Sequence, residues 1–405
     1  LSMLENYYDI NKKDDFETIF GGLYIGKNPT PEHNSYLVIH LNFAEVDSGL
    51  DDYKEGLDTH CRLVFEDFCT RYAALLPQGT KEEMKSEQGA IAQLRFLCQK
   101  CAEVKQKIYL FIDEYDNFTN MILSSEEHLE RYKGQTHGEG YLRRFFNTIK
   151  GAANTSLGRI FVTGVSPVTM DDLTSGFNIG TNYSLAPEFN ELTGFTEEEV
   201  RDMLSYYAGV LPFNHTVDEL IEIMKPWFDN YCFAINSYGK TTMYNSIMVL
   251  NFVDNYIRND YHIPNKMVEP NIRIDYSKIR MLIRHDKEFA HDASIIQELV
   301  TKGYATGNLV ENFPADRIND PDNFLSLLFY FGLVTIDGEY KGSTKFIIPN
   351  EVVRDQIYTY LLDTYRENDL TFEQYDKNKL ESRLAYDGDF KPYFDYIADC
   401  LKRYS

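Results

Sequence analysis

The chain has 405 residues, 43% of them apolar, and a formal net charge of −23. This length exceeds what one hydrophobic core usually supports, so two or three folded domains are expected. The acidic balance argues against general binding to nucleic-acid phosphates, which needs clustered Lys and Arg, and leaves only a local patch for such a contact. No apolar run is long enough to cross a bilayer and no signal-peptide pattern occurs, which predicts a cytoplasmic protein without membrane contact.

The six cysteines are too sparse for a disulfide framework. Cys98 and Cys101 have the C-x-x-C spacing of a zinc-binding pair. They lie in a helical stretch, QLRFLCQKCAEV, without a second pair of ligands. We therefore predict that both are buried structural thiols.

The first half of the chain alternates apolar runs with helical patterns. Residues 36–43 (YLVIHLNF), 108–112 and 159–163 are short apolar runs with β-branched or aromatic residues, which predicts buried strands. Helical periodicity is found at 56–105 and 141–153. This alternation predicts a parallel, doubly wound α/β sheet.

The second half changes to helices joined by short loops. Thr196 and Glu199 have capping-box spacing, in which the hydroxyl accepts the backbone N–H of the glutamate and the carboxylate returns a bond, so a helix should begin here. Helical patterns at 294–299 and 323–332 precede two strand patterns, LVTID and KFIIPN, joined by a glycine-containing turn. Helix, helix and hairpin in this order predict a winged-helix-like module, and polar helices follow residue 352.

Two acidic residues follow the second predicted strand, in the sequence IYLFIDEYDNF. Asp113 would end its strand at the edge where open α/β sheets bind ligands, and its carboxylate suits coordination of Mg²⁺. Glu114 comes next and can deprotonate a water molecule that attacks the γ-phosphate of ATP. The pattern predicts Asp113 as the residue that binds Mg²⁺ and ATP, and Glu114 as the catalytic base. The alternative is that the chain simply enters solvent there.

Three further polar residues follow the second and third predicted strands. Asp116 is interpreted as a loop or cap residue rather than a third metal ligand. The third strand ends in TGVSP, so Thr163, as a catalytic residue, or Ser166, as a nucleotide-binding residue, can sense the γ-phosphate or hold the water. An equally open alternative is a turn in which Gly164 and Pro167 only shape the backbone.

Several stretches resemble a known family. They are FIDEYDNF, the run from Arg159 to Val200 with its TGVSP and GFTEEEV segments, NIRIDYSKIRML, and FLSLLFYFGLVTI with FIIPNEVVR. Together they resemble the bacterial AAA-ATPase-like proteins, which are commonly fused to a C-terminal nuclease domain of the PD-(D/E)XK type. The resemblance covers nearly the whole chain. It implies an α/β P-loop NTPase of the AAA (ASCE-like) type with a parallel sheet, then an α-helical lid and a winged-helix-like module.

Members of this family begin with a strand and a phosphate-binding loop ending in Gly-Lys-Ser, and LSMLENYYD resembles the helix after that loop. We therefore expect the loop before Leu1 and any nuclease domain after Ser405, so this chain by itself is expected to be inactive. The predicted domains are an ATPase core at 1–195, a helical lid at 196–290, a winged-helix-like module at 291–355 and a helical C-terminal segment at 356–405.

The resemblance implies ATP and Mg²⁺ as cofactors. The expected partners are a nucleotide and either a protein or a second copy of the chain, with nucleic acid reached only through the nuclease domain or a local patch. The predicted function is an ATPase or ATP-driven switch that regulates an attached nuclease or a partner. The alternative is a winged-helix scaffold that binds DNA or protein beside a non-catalytic NTPase fold. The segment NFLSLLFYFG has no Lys or Arg, which favours a protein contact over DNA.

A second phosphate-loop pattern occurs at 234–241 (AINSYGKT) and allows the alternative of a permuted NTPase. Backbone N–H groups close around a phosphate most readily where small residues line the loop, but Ala234, Ile235 and Tyr238 occupy that stretch. We therefore favour the upstream loop. No arginine finger is selected by the sequence from the candidates Arg143, Arg144, Arg159 and Arg201.

Overall fold

The fold is that of a computed structural model. The structure describes residues 1–46, 53–117, 134, 136–137, 140–153, 155–165, 180–267, 295–314, 317–318, 320–367 and 374–404. The chain divides into two compact units, Leu1–Glu351 and Val352–Ser405. Ser166 and the segment NIRIDYSKIRML lie outside the described residues.

A three-stranded parallel sheet forms the centre of the N-terminal part. Its strands, β1 (Leu37–Asn42), β2 (Ile108–Asp113) and β3 (Leu157–Val162), lie side by side in that order. The central strand β2 is buried from its beginning to Ile112, which explains why its sequence is continuously apolar rather than alternating. The predicted three parallel strands are confirmed, each boundary lying within two residues of the predicted one.

Helices surround this sheet. In chain order they are α1 (Ser2–Tyr8), α2 (Phe16–Phe20) and α3 (Tyr24–Lys27) before β1, α4 (Tyr53–Arg71), α5 (Thr80–Ser86) and α6 (Gly89–Glu103) between β1 and β2, and α7 (Tyr141–Ala152) before β3. Helix α4 packs against β1 and α6, and α6 packs against α7. The helical patterns predicted from the sequence around both strand connections are confirmed.

Helix α1 lies on one face of the sheet and runs opposite to β1. Its end is fixed at the beginning of the strand by a parallel bridge between Asp9 and Tyr36. Near its beginning, Glu5 contacts His40, which lies towards the end of β1. The N-terminal end of α1 is therefore directed towards the same sheet edge as Asp113, the last residue of β2.

Among the residues described after the sheet, the next helices are α8 (Glu197–Val210), α9 (Val217–Phe228) and α10 (Ser246–Arg258). The capping box predicted at the start of α8 is confirmed. The Thr196 hydroxyl accepts the Glu199 N–H at 3.2 Å, and the Glu199 carboxylate accepts the Thr196 N–H at 2.8 Å. A second capping box, between Thr216 and Glu219, begins α9. Both helix starts are therefore specified by local residues.

The last part of the first unit contains α11 (Ile295–Lys302), β4 (Ala305–Gly307), α12 (Pro321–Tyr330), β5 (Thr335–Tyr340) and β6 (Ser343–Ile347). The strands form an antiparallel sheet in the order β4-β6-β5. The turn from β5 to β6 uses Lys341 and Gly342 with φ of 54° and 86°, the left-handed backbone that a tight hairpin turn requires. The predicted helices and hairpin are thus present, whereas the three-residue strand β4 was not predicted.

The second unit is helical over most of its described residues. Its helices are α13 (Glu351–Glu367, which begins one residue before the unit), α14 (Gln374–Asp387) and α15 (Lys391–Tyr404), and α14 packs against α15. The prediction of helices after residue 352 is confirmed. None of the helices that the structure describes has both the length and the apolar character needed to span a membrane.

Candidate functional site

The carboxyl ends of β2 and β3 meet at one edge of the sheet. Asp113 ends β2 and Thr163 directly follows β3. The Thr163 hydroxyl donates to Asp113 Oδ1 at 2.5 Å, and the Thr163 N–H donates to the Ile112 carbonyl at 2.8 Å. The Glu114 N–H also donates to Asp113 Oδ1, at 3.1 Å. The sheet thus brings together three of the four residues predicted for the site, and the fourth, Ser166, lies outside the described residues.

The Asp113 carboxylate has one oxygen that is suited to a cation. Both hydrogen bonds to this side chain go to Oδ1, and Oδ2 accepts none from the described residues. The described residues contain no group of three or more His, Cys, Asp or Glu that would enclose a metal. Magnesium characteristically binds through one or two carboxylates together with waters and substrate phosphates, so a single strand-end carboxylate fits Mg²⁺ held jointly with a nucleotide.

Glu114 has a left-handed backbone, with φ of 51°. This conformation costs a residue with a side chain roughly 1–3 kcal/mol and therefore persists only where neighbouring bonds enforce it. Those bonds lie on both sides of Glu114. The Tyr115 N–H donates to the Thr163 carbonyl at 3.2 Å, and the Asn117 N–H donates to the Glu114 carbonyl at 3.0 Å. Such strain occurs often at functional sites, and here it falls on the predicted catalytic base.

The loops after all three strands are joined by hydrogen bonds. The Asn117 side-chain amide donates to the carbonyl of Phe43, the residue that follows β1, at 3.3 Å. Asp116, which is 5% exposed, accepts the Val165 N–H through Oδ1 at 3.1 Å. This contact supports the interpretation of Asp116 as a loop residue.

Gly164 is required by close packing between the two loops. A Cβ atom at this position would lie 2.4 Å from Asp116 Oδ1 and 2.5 Å from the ring of Tyr115. The alternative in which Gly164 shapes the backbone therefore has a physical basis. It is compatible with a functional Thr163, because the neighbouring hydroxyl bonds to Asp113 in the same structure.

One polar pair at this end of β1 was not predicted from the sequence. His40 Nδ1 lies 2.8 Å from a carboxylate oxygen of Glu5. The hydrogen bond to Glu5, aided by the negative charge of Asp113, raises the pKa of His40, and the same bond lowers the pKa of Glu5. His40 Nε2 is buried without a hydrogen-bond partner among the described residues. The histidine within the apolar run YLVIHLNF is the sequence feature that could have indicated a polar contact at this position.

Residues 1–174 match the model of a family described as predicted AAA-ATPases. This part of the chain is similar to AAA-ATPase-like proteins. The match contains β1, β2, β3 and all four residues predicted for the site. It supports the resemblance to the AAA-ATPase-like family for the N-terminal part of the chain.

Two solved structures are also similar to the chain. They are Cdc6p from Pyrobaculum aerophilum (12% identity, 88% of this chain and 86% of that chain, TM-score 0.31) and the Orc1 protein of Aeropyrum pernix in complex with DNA (12% identity, 89% and 94%, TM-score 0.31). At these identities and TM-scores the two similarities establish neither the fold nor a ligand. None of the curated proteins compared with the chain matches it.

The loop at 234–241 does not have the geometry of a phosphate cradle. The backbone N–H groups of Ser237, Tyr238 and Lys240 donate to carbonyl groups of the same loop at 2.9, 3.2 and 3.1 Å. The Ala234 N–H donates to the Asn190 side chain at 3.3 Å. Since these donors are already used, they do not converge on a common anion. The alternative of a permuted NTPase loses its main support.

Two of the arginines considered as arginine fingers form ion pairs within the protein. Arg159 binds Glu32 through two nitrogens, at 3.1 and 2.7 Å, near the opposite end of β3 from Thr163. Arg201 pairs with Asp218 and, at 3.4 Å, with Glu197. Neither side chain contacts the strand-end site among the described residues.

Cys98 and Cys101 are both buried on α6. Burial raises the pKa of Cys98 to about 11 and that of Cys101 to about 12, so both are protonated thiols at neutral pH. The prediction of buried structural thiols is confirmed.

Proposed function

We propose that this protein binds Mg²⁺·ATP at the carboxyl edge of the parallel sheet and hydrolyses the nucleotide. The observation that carries the proposal is the hydrogen bond between Thr163 and Asp113, because it joins two strand-end residues at the edge where open α/β sheets bind ligands. The family match over residues 1–174 supports the same conclusion.

Each residue has a defined part in this proposal. Asp113 binds Mg²⁺ through its Oδ2 or through a bound water, while Oδ1 stays fixed by Thr163 and Glu114. Glu114 removes a proton from the attacking water. Thr163 positions Asp113 and senses the γ-phosphate, and Ser166 contacts the nucleotide. Bound Mg²⁺ supplies positive charge that offsets the charge of the phosphates.

The orientation of α1 fits a nucleotide at the same edge. Its N-terminal end is directed towards the side of the sheet where Asp113 lies. The family that the chain resembles has a phosphate-binding loop immediately before this helix. A loop in that position would place the phosphates beside the Asp113 carboxylate.

The proposal also assigns residues 196–290, which include α8–α10, to a lid and residues 291–355, which include α11–β6, to a winged-helix-like module. The Cys232 N–H donates to the Thr335 hydroxyl at 2.8 Å, and the Asn350 side chain donates to the Asp229 carbonyl at 3.2 Å. Asn230 donates from its side chain to the Pro349 carbonyl at 2.9 Å. These bonds couple the lid to the module, so a change at the nucleotide can move both together.

A protein partner is the proposed target of this movement. Helix α12 spans PDNFLSLLFY and contains no Lys or Arg, so it lacks the cations that a DNA-reading helix requires. An attached nuclease is the partner class that the family resemblance implies. The competing proposal of a scaffold with a non-catalytic NTPase fold is disfavoured by the presence of both acidic residues, Asp113 and Glu114, at the carboxyl end of β2.

The decisive test is the substitution Glu114→Gln in the full-length protein. Removal of the base should lower kcat for ATP hydrolysis by about a hundredfold or more while Mg²⁺·ATP binding is retained. Glu339→Gln, at an exposed position on β5, is the matched control and should leave both quantities unchanged. Unchanged turnover in Glu114→Gln would reject Glu114 as the base, and absence of any ATP hydrolysis in the unsubstituted protein would reject the proposed function.

A further inference from the structure

The loop after β2 and the loop after β3 are joined by a carboxylate that the proposed reaction does not use. Asp116 is 5% exposed, and its Oδ1 accepts the backbone N–H of Val165 at 3.1 Å. Forty-nine positions of the chain separate the two residues. A buried carboxylate is retained at low cost only where it receives hydrogen bonds. Asp116 meets this condition by binding the backbone of the neighbouring loop.

Gly164, in the loop after β3, lets that loop lie close against Asp116. Its backbone lies so close to the β2 loop that a Cβ atom would be 2.4 Å from Asp116 Oδ1 and 2.5 Å from the Tyr115 ring. Distances under 3.0 Å require that something shift. The absence of a side chain at Gly164 therefore allows the two loops to touch through Asp116.

The contact lies next to both groups that would act on ATP. Glu114 is two residues before Asp116 and has a left-handed backbone with φ of 51°. Thr163 is two residues before Val165 and donates to Asp113 at 2.5 Å. The two loops are also joined directly, by the bond from the Tyr115 N–H to the Thr163 carbonyl.

We propose that Asp116 is a positioning residue for the proposed ATPase, which holds the loop of Thr163 against the loop of Glu114 so that both groups act on the same phosphate. The inference rests on the proposed function. Asp116 performs no chemical step itself and acts through the backbone of residues 163–165. A displacement of about 1 Å at a reacting group can reduce turnover by about a hundredfold, so a contact of this kind is able to control the rate.

The geometry distinguishes this role from metal binding. A ligand of Mg²⁺ presents an open oxygen to the ion, as Asp113 Oδ2 does. The Asp116 oxygen that faces the β3 loop already accepts a backbone N–H, and the residue is buried. In Asp116→Asn the amide oxygen would still accept the Val165 N–H. A metal site would instead lose the negative charge that binds the cation.

The experiment compares Asp116→Asn with Asp116→Ala in the full-length protein. Asn keeps the acceptor for Val165 and should retain kcat for ATP hydrolysis within about threefold. Ala removes the acceptor and should lower kcat by about 10- to 100-fold with little change in KM for Mg²⁺·ATP. Equal and large losses in both variants, with a higher Mg²⁺ requirement, would show a metal ligand and overturn the proposal. Unchanged kcat in Asp116→Ala would also overturn it.

A second variant tests the contact with Asp116 intact. Gly164→Ala should reduce kcat in the same range, because its Cβ would separate the loops. Gly151→Ala on α7 is the control, since a Cβ there meets no atom within 4 Å. Full activity in a folded Gly164→Ala protein would contradict the proposal, and this variant decides the matter if Asp116→Ala does not fold.

Glu114→Gln, measured in parallel, separates the two hypotheses. A loss of turnover in Glu114→Gln without any loss in Asp116→Ala or Gly164→Ala rejects only the positioning role. Normal turnover in Glu114→Gln rejects the assignment of the base, on which the positioning role depends.

Discussion

Thr163 and Asp113 are 50 positions apart in the chain, yet the hydroxyl of the first donates to the carboxylate of the second at 2.5 Å. The parallel pairing of β2 with β3 produces this contact, because it places the carboxyl ends of both strands at one edge. Each side chain follows an apolar strand and is partly buried. The bond orients the carboxylate before any ligand binds, which reduces the cost of ordering it on binding.

Removal of the Thr163 hydroxyl should therefore weaken the site. Thr163→Val leaves Asp113 Oδ1 with the Glu114 N–H as its remaining described donor, and hydrogen bonds to charged groups contribute about 1.5–3 kcal/mol. We expect kcat/KM for Mg²⁺·ATP in the full-length protein to fall by about tenfold or more. Thr163→Ser, which keeps the hydroxyl, is the control and should stay within a few-fold of the unsubstituted protein. Equal activity of the Val and Ser variants would contradict the role of the hydroxyl.

Lys240→Ala should have no effect on nucleotide binding. The neighbouring N–H groups donate within their own loop, and Lys240 is exposed, so the lysine has no phosphate cradle to complete. Titration of Mg²⁺·ATP into the unsubstituted protein and the variant should give the same Kd. Binding that disappears in Lys240→Ala would restore the permuted NTPase and move the site away from Asp113.

The hydrogen bond between His40 and Glu5 should make the stability of the fold depend on pH. This bond raises the pKa of His40 above 6.5 and lowers the pKa of Glu5 below 4.5. The contribution of His40 to stability is complete below pH 6.5 and is lost as the pH rises through its raised pKa. The contribution of Glu5 is complete above pH 4.5 and is lost as the pH falls through its lowered pKa. The pair should therefore stabilise the fold most between pH 4.5 and 6.5.

NMR titration of the His40 ring measures this coupling directly. In Glu5→Gln the His40 pKa should move down towards its ordinary value, because the partner charge is removed. The difference in thermal midpoint between the unsubstituted protein and His40→Gln should be largest in the same pH window. A His40 pKa that is unaffected by Glu5→Gln would show that the pair is not coupled.

Loss of either capping box should destabilise its helix. Thr196→Ala removes the acceptor for the Glu199 N–H at the start of α8, and such substitutions cost about 1 kcal/mol. Thr216→Ala, at the start of α9, should have a similar effect because its bonds match, at 3.2 and 2.8 Å. Thermal unfolding of these variants and of the Thr→Ser controls measures the difference. A Thr→Ala variant as stable as its Ser control would show that the box contributes nothing.

The elements that are specified by residues close together in the sequence were predictable from it. Short apolar runs identified the three strands, and the run is continuous in β2 because that central strand is buried between its two neighbours. The box at Thr196 was predictable because its partners are three residues apart. The second box, between Thr216 and Glu219, follows the same rule. Strand β4 has three residues, too few for a periodic pattern, and acquires its structure by pairing with β6.

The chain itself determined which residues end the strands: Asp113 and Glu114 after β2, and Thr163 after β3. Only the tertiary structure decided what these residues contact. The bonds from Thr163 to Asp113, from Val165 to Asp116 and between His40 and Glu5 join positions 50, 49 and 35 residues apart. The left-handed backbone of Glu114 has a similar origin, because the next N–H is held by the carbonyl of Thr163. Local propensities do not determine such geometry, since it arises between elements that meet only when the sheet has formed and α1 has packed on it.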